Sequence, residues 1–135
     1  MTTFLLDTNT CVEILRKRNA GVIATFESQS SSNVQLCSVV IAELVFGAYR
    51  SQKTALNLSL IQTFASPLVS LPFDDDAARI YGQVRNDLES RGQPIGPNDT
   101  MIASIALLHG VTLVTHNRSE FLRVTGLKMI DWHTP

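Results

Sequence analysis

The sequence predicts an α/β fold in which a mainly parallel, five-stranded sheet is flanked by helices. Short runs of apolar and β-branched residues alternate along the chain with longer segments whose apolar residues recur at helical spacing. Several of the short runs are apolar throughout, which is typical of strands buried on both faces of a parallel sheet. The length of 135 residues suits one hydrophobic core, so we expect a single domain over residues 1–135.

The first strand and the first helix meet at Asp7. Residues 4–6 are apolar without helical spacing and end in this carboxylate, which predicts a buried strand with Asp7 at its C-terminal edge. Thr10 and Glu13 have the spacing of a capping box, so we expect the first helix to begin near Thr10 and to run to the basic residues 16–18. Cations in a last helical turn favour the negative end of the helix dipole, and contact with phosphate is the alternative.

The middle of the chain adds a second strand and three helices. A short amphipathic helix is expected over residues 19–29. β-branched residues at 34–40 predict a strand that passes into a helix near Ser38 or Val39, with Glu43 within the first two turns of that helix. A further helix is expected over residues 53–65.

The second half of the chain supplies the remaining elements. We expect strands at 68–71, 111–115 and 127–130, a helix from residue 74 to about Ser90, an apolar helix that opens with Asp99 and closes at His109 and Gly110, and a short helix through Phe121. The acidic run 74–76 is interpreted as the cap and first turn of its helix rather than as a metal cluster.

Composition narrows the class of protein. Hydrophobic residues make up 44% and charged residues 17% of the chain, as in ordinary globular proteins. The net charge of -1 argues against a passive nucleic-acid coat, so nucleic-acid binding would need a local basic patch. Cys11 and Cys37 lack metal-ligand spacing and are expected to be buried free thiols. Because no signal peptide or membrane-spanning run is evident, we expect a cytoplasmic protein with no membrane partner.

Four acidic residues are predicted to meet at one edge of the sheet. Asp7 ends the first strand, Glu43 follows the second, Asp99 opens an apolar helix, and Glu120 follows the fourth strand with Asn117 beside it. Carboxylates this close repel one another unless cations neutralise them, and hard oxygen ligands indicate Mg²⁺ or Mn²⁺. Each residue alone has a structural alternative as a helix cap, a turn residue or a solvated charge. Their common placement favours a metal site.

Four segments resemble the PIN-domain ribonucleases, and most closely the VapC toxins of bacterial VapBC toxin–antitoxin pairs. The segments are 4–9 (FLLDTN), the Glu43 helix with Gly47, 95–103 (IGPNDTMIA) and 114–121 (VTHNRSEF), in the family order. The resemblance implies a PIN-like three-layer sandwich and a metal-dependent endoribonuclease whose catalytic carboxylates and metal ligands are Asp7, Glu43 and Asp99. Asn117 stands where many PIN proteins carry an aspartate, so the fourth metal contact is left open between Asn117 and Glu120.

The resemblance also implies a substrate and partners. The substrate would be structured RNA, commonly the anticodon stem-loop of tRNA and here by preference initiator tRNA, cut to leave a 5′-phosphate and a 3′-hydroxyl so that translation is inhibited. A VapB-type antitoxin and a toxin homodimer are the implied protein partners. Phe46 and Tyr49 belong either to a docking groove or to the core.

Further residues are predicted to support the site or to bind RNA. Thr8, Asn9 and Thr115 either position the metal or phosphate by hydrogen bonds or cap local structure. RNA contacts are expected from basic residues that would position phosphates without reading sequence, namely Arg16, Lys17, Arg18, Arg85, Arg91 and Arg118.

Two other functions stay open at this point. Residues 6–10 (LDTNT) resemble the start of haloacid-dehalogenase-like phosphatases, in which Asp7 would be a nucleophile that forms an aspartyl-phosphate. Asn9 in place of a second aspartate argues against that chemistry. The other alternative is a non-catalytic PIN-like module kept for binding, and the retention of three carboxylates argues against it.

Overall fold

The strand β1 (Phe4–Leu6) lies in the middle of a five-stranded sheet. The structure, a computed structural model, describes residues 2–135. The other strands are β2 (Val34–Cys37), β3 (Val69–Leu71), β4 (Thr112–Val114) and β5 (Met129–Ile130), and the strand order is β3-β2-β1-β4-β5. Every neighbouring pair is parallel. The predicted α/β fold with a parallel, five-stranded sheet is confirmed.

Helices connect and cover the strands. They are α1 (Thr8–Leu15), α2 (Ala20–Ser28), α3 (Ser38–Arg50), α4 (Thr54–Ala65), α5 (Asp75–Ser90), α6 (Pro97–His109) and α7 (Arg118–Phe121), with a 3₁₀ turn at Ser31–Asn33. The cap predicted for the acidic run is confirmed, because the Asp74 side chain accepts a hydrogen bond from the Ala77 N–H at 3.0 Å. Gly110 ends α6 in the left-handed conformation, at φ 65°.

The core is built largely on the neighbouring strands β1 and β4 and on α6. Leu5, Leu6, Leu113 and Val114 are fully buried, and so are most residues in the middle of α6. The buried hydroxyl of Ser104 donates to the Thr100 carbonyl at 2.7 Å, so this helix buries a polar group without leaving it unpaired. Cys11 and Cys37 are buried free thiols, as predicted.

The first helix differs from the prediction at both ends. It begins at Thr8 because Asp7, in extended conformation, is itself the N-cap: its Oδ1 accepts from the Thr10 N–H at 2.8 Å. The capping box predicted at Thr10 and Glu13 is therefore wrong. The helix ends at Leu15, so the basic residues 16–18 follow the helix instead of forming its last turn.

The strand order creates a crevice beside Asp7. From β1 the chain moves through β2 to β3 on one side of the sheet, then returns to β4 on the other side of β1. The connections from β1 and β4 thus run in opposite directions, and in open α/β sheets ligands bind outside the carboxyl ends of two such strands. Asp7 follows β1, and residues 115–117 follow β4, so both segments border this crevice.

None of the helices in residues 2–135 is long and apolar enough to cross a membrane.

Candidate active site

Asp7 is a buried carboxylate at the end of the central strand. Its side chain caps α1, and its backbone N–H donates to the Val114 carbonyl at 3.1 Å, so both neighbouring elements fix its position. The residue is 4% exposed. Burial raises the pKa of Asp7 above its ordinary value, against the opposing effect of hydrogen bonds from Thr115 and Thr10.

Glu43 reaches the same place from α3. The helix starts directly after β2, so Glu43 lies in its second turn, close to the carboxyl end of the sheet. The Thr8 hydroxyl, in the first turn of α1, donates to Glu43 Oε1 at 2.6 Å. This short, charge-assisted hydrogen bond orients one carboxylate oxygen and leaves the other free.

Asp99 completes the group from the first turn of α6. It is the third residue of the helix, behind the Gly96 cap and Pro97, so the prediction of a helix that opens with Asp99 misses its true start by two residues. The pKa of Asp99 is raised to about 6, first by burial and then by the negative charges of Glu43, Glu120 and Asp7. Asp99 therefore lies within electrostatic reach of every acidic residue predicted for the site.

A single cavity of about 200 Å³ joins these side chains. It is lined by Asp7, Thr8, Asn9, Glu43, Asp99, Asn117 and Phe121. The predicted residues Thr115 and Glu120 do not line the cavity, but each forms a hydrogen bond with Asn117, which does. The Thr115 hydroxyl accepts from the Asn117 N–H at 3.0 Å, and the Asn117 side-chain amide donates to Glu120 Oε2 at 3.2 Å.

The carboxylates of this cavity fit a hydrated divalent cation. Within residues 2–135, Asp7, Glu43, Asp99 and Glu120 form no ion pair with a basic side chain, so their charges are not neutralised by the chain itself. A cavity of this size that is lined by several oxygen donors has room for an ion that keeps some of its waters, as Mg²⁺ does.

The basic residues predicted to bind RNA fall into two groups. Arg85 donates to Glu89 at 2.6 Å and to the Tyr81 hydroxyl, and Arg91 pairs with Asp87 at 2.8 Å, so both are engaged along α5 and its end. The others are exposed and have no ion pair within the described residues: Arg16, Lys17, Arg18 and Arg118. Arg16 lines a groove that also contains Glu43, so this basic stretch adjoins the carboxylate cavity.

That groove is apolar and lies between α1, α3 and α4. It is lined mainly by Val12, Leu15, Leu44, Leu60 and Ile61. Phe46 and Tyr49, on α3, are 62% and 66% exposed. The core-packing alternative for these two aromatic residues is therefore wrong.

One further group of side chains lies at this edge and was not predicted from the sequence. His116 follows β4, and Asp131 and His133 follow β5, the neighbouring strand. Both imidazoles contact the Asp131 carboxylate, at 2.8 Å from His116 and 3.1 Å from His133. The sequence shows polar residues after each of these two strands, but their proximity follows only from the pairing of β4 with β5, which the structure provides.

Comparisons with known proteins agree with this geometry. Residues 4–127 match the PIN domain family. The chain is 39% identical to a tRNA(fMet)-specific endonuclease VapC of Shigella flexneri, over 98% of this chain and 99% of that protein.

Two solved structures are similar over nearly their whole length. One is the DNA-bound VapBC of Salmonella typhimurium, with TM-score 0.91 and 36% identity over 98% of this chain and 99% of the matched chain. The other is VapBC2 of Rickettsia felis bound to a fragment of promoter DNA, with TM-score 0.90 and 35% identity over 97% and 99%. The chain therefore belongs to the PIN-domain ribonucleases, within the VapC family.

Proposed function

We propose that this chain is the toxin of a VapBC-type pair and acts as a Mg²⁺-dependent endoribonuclease on structured RNA. The observation that carries the proposal is the convergence of Asp7, Glu43 and Asp99 on one cavity without a neutralising basic side chain among the described residues. The name of the Shigella relative, a tRNA(fMet)-specific endonuclease, supports initiator tRNA as the substrate. We further propose that the cut falls in the anticodon loop and that it inhibits translation. Such an activity belongs in the cytoplasm, where tRNA is found.

Each residue of the cavity has a role in this proposal. Asp7, Glu43 and Asp99 hold the cation, and the Thr8 hydroxyl fixes the orientation of Glu43. Mn²⁺ would replace Mg²⁺ at the same oxygen ligands. A divalent cation held there supplies the Lewis acidity that activates water and stabilises negative charge on a phosphodiester.

The fourth contact involves Asn117 and Glu120 together. Asn117 faces the cavity, whereas Glu120 accepts the hydrogen bond of the Asn117 amide. We propose that Asn117 offers its carbonyl oxygen to the cation or its waters and that Glu120 holds the amide in that orientation. Thr115 contacts two residues of the cavity. Its hydroxyl accepts from the Asn117 N–H, and its hydrogen bond to Asp7 partly offsets the rise in the pKa of Asp7 that burial causes. Asn9 is exposed at the cavity mouth, where it would contact phosphate.

The apolar groove beside Glu43 suits a VapB-type antitoxin. It ends at the carboxylate cavity, so a bound segment would also cover the site. The exposed aromatic residues Phe46 and Tyr49 lie on α3 but do not line the groove. The Salmonella and Rickettsia structures are both VapBC complexes. Replacing Leu60, which lines the groove and is 46% exposed, by alanine should weaken antitoxin binding and leave RNA cleavage unchanged. Light scattering should report a toxin dimer.

The test of the activity is cleavage of a tRNA pool by the purified chain with Mg²⁺ or Mn²⁺. Asp7→Asn should lower the cleavage rate by at least about a hundredfold, because one cation ligand is lost. Asparagine still caps a helix, so the fold should survive. Sequencing of the cut ends identifies the RNA, and the ends should carry a 5′-phosphate and a 3′-hydroxyl.

Asp76→Asn is the matched control. Asp76 is exposed and pairs with Arg79 in the first turn of α5, away from the cavity, so its loss should not alter the rate. Equal cleavage by wild type and Asp7→Asn would contradict the assignment. Absence of cleavage with every metal and RNA tried would favour the non-catalytic binding module.

A further inference from the structure

We propose that His116, Asp131 and His133 form a second metal site, which binds a transition-metal ion such as Zn²⁺ instead of Mg²⁺. Among the described residues, theirs is the only group of three ligating side chains whose donor atoms all lie within 4.8 Å of one another. The proposal is independent of the RNA-cleaving function, since it concerns ion binding alone.

The donor set selects the class of ion. Two imidazoles and one carboxylate are ligands that Zn²⁺, Co²⁺ and Ni²⁺ bind well, whereas Mg²⁺ prefers oxygen ligands and water. The carboxylate cavity contains no imidazole, so the two sites differ in chemistry. Three protein ligands would leave a coordination position for water, as in many zinc sites of this composition.

The backbone already holds two of the three ligands in place. Trp132 lies between Asp131 and His133, is buried, and packs edge-on against Phe4 with ring centroids 5.2 Å apart. The His133 N–H donates to Asp131 Oδ1 at 2.9 Å. Beyond them, the Thr134 carbonyl accepts from the Asn19 side chain at 3.0 Å. The segment that carries Asp131 and His133 is thus anchored at several points.

The third ligand, His116, follows the adjoining strand β4 and is mostly exposed. Pairing of β4 with β5 continues past the strands, because the Thr115 N–H donates to the Ile130 carbonyl at 2.9 Å. This contact places His116 beside Asp131. The rings of His116 and His133 stack with centroids 4.1 Å apart, and the His116 side chain is 64% exposed. A small rotation of His116 would aim both imidazoles at one ion, with access from solvent.

An ion at this site would join two parts of the chain. It would tie the C-terminal segment 131–134 to the loop between β4 and α7, which also contains Asn117 of the carboxylate cavity. An ion that binds only the folded state stabilises it by RT ln(1 + [L]/Kd), where [L] is the concentration of the free ion, so the effect keeps growing with ion concentration above Kd. We therefore expect Zn²⁺ to raise the melting temperature by a few degrees.

The test uses Co²⁺ as a spectroscopic probe and Zn²⁺ as its competitor, in the presence of millimolar Mg²⁺. Visible absorption should saturate at one Co²⁺ per chain and disappear on addition of Zn²⁺. His116→Gln and His133→Gln should each weaken Co²⁺ binding by about tenfold or more. His109→Gln is the matched control, because His109 is exposed at the end of α6 and is the only other histidine of the chain.

The outcomes separate this site from the carboxylate cavity. Asp7→Asn should keep the Co²⁺ spectrum and the Zn²⁺-induced rise in melting temperature. Loss of both signals in Asp7→Asn with retention in His116→Gln would place the ion in the cavity and overturn the proposal. Equal loss in His109→Gln would also overturn it. If circular dichroism shows that His133→Gln is unfolded, His116→Gln decides, since its side chain is mostly exposed.

Discussion

Asp7 has two roles that one carboxylate can combine. Oδ1 accepts the Thr10 N–H that starts α1, while the side chain also lines the carboxylate cavity. The position of Asp7 at a strand end could be predicted from the sequence, because an apolar run stops there. Its capping role was assigned to Thr10 instead, since sequence spacing does not reveal that the helix begins immediately after the strand. The grouping of His116 with Asp131 and His133 was missed because it depends on which strands are neighbours.

Asp99 makes the stability of the metal-free protein depend on pH. Its pKa in the folded state, about 6, is above the ordinary value of 3.8. The carboxyl group therefore stabilises the fold fully below the unfolded pKa, and this contribution is lost as the pH rises through about 6. Without metal at about pH 8, Asp99→Asn should raise the free energy of unfolding by roughly 1 kcal/mol, after allowance for the partial exposure of the group, and should raise the melting temperature with it.

Thermal unfolding in a chelator, from about pH 4 to pH 8, measures this effect. The difference in melting temperature between Asp99→Asn and wild type should shrink as the pH falls below about 6, because Asp99 then becomes protonated in the wild type. With Mg²⁺ the order should reverse, because the cation stabilises only the chain that retains its ligand. The metal-free Asp99→Asn protein could instead be less stable than wild type at about pH 8. That result would show that the repulsion of Asp99 by Glu43, Glu120 and Asp7 does not destabilise the wild-type fold.

At the scale of elements, apolar periodicity located the helices and strands, and local geometry decided their ends. The predicted passage from strand to helix near Ser38 is confirmed, because β2 ends at Cys37 and α3 starts at Ser38. The end of α1 was misjudged. The Lys17 N–H donates to the Ile14 carbonyl at 3.2 Å and the Arg18 N–H to the Glu13 carbonyl at 3.0 Å, which is a Schellman motif. This motif usually has glycine where Lys17 stands, so residues 16–18 contain no recognisable signal for the end of a helix.

Lys17→Gly should therefore stabilise the protein. Lys17 has φ 53°, a left-handed conformation that costs a residue with a Cβ about 1 kcal/mol and costs glycine little. Chemical denaturation should show a rise in unfolding free energy of roughly 0.5–1 kcal/mol. Arg18→Gly is the matched control: Arg18 is not among the residues with positive φ, so glycine there should be neutral or destabilising. If Lys17→Gly instead lowers the unfolding free energy, the Lys17 side chain stabilises the fold by more than its left-handed backbone conformation costs.

At the scale of the whole molecule, the parallel sheet could be predicted but its strand order could not. The alternation of elements implies that all strand ends share one edge, which is sufficient to bring Asp7, Glu43 and Asp99 together. The crevice between β1 and β4 depends on long-range pairing, which no local pattern in the sequence encodes. The basic side chains show the same limit only in part. Arg85 with Glu89 and Arg91 with Asp87 have i,i+4 spacing, so these two ion pairs could have been predicted from the sequence, whereas the position of Arg16 beside the groove could not.

RNA affinity should therefore depend on the basic residues without ion pairs. Because the net charge is only -1, attraction for RNA must come from local groups; Arg16 lines the groove that also contains Glu43, and Lys17 and Arg18 follow it in the chain. In an Asp7→Asn background that prevents cleavage, replacing these three by glutamine should weaken binding of tRNA. It should also reduce the slope of log affinity against log salt by about 2, since each lost phosphate contact removes roughly 0.7–0.9.

The matched control replaces Arg85 and Arg91 by glutamine in the same background. Their guanidinium groups already contact Glu89 and Asp87, so few counterions would be released when they approach RNA, and the salt slope should change little. Filter binding at several salt concentrations and fixed Mg²⁺ measures both variants. If the Arg85 and Arg91 double variant loses as much slope as the triple variant, the RNA lies across α5 instead of beside the groove, and the surface ion pairs are weak enough to be exchanged for phosphate.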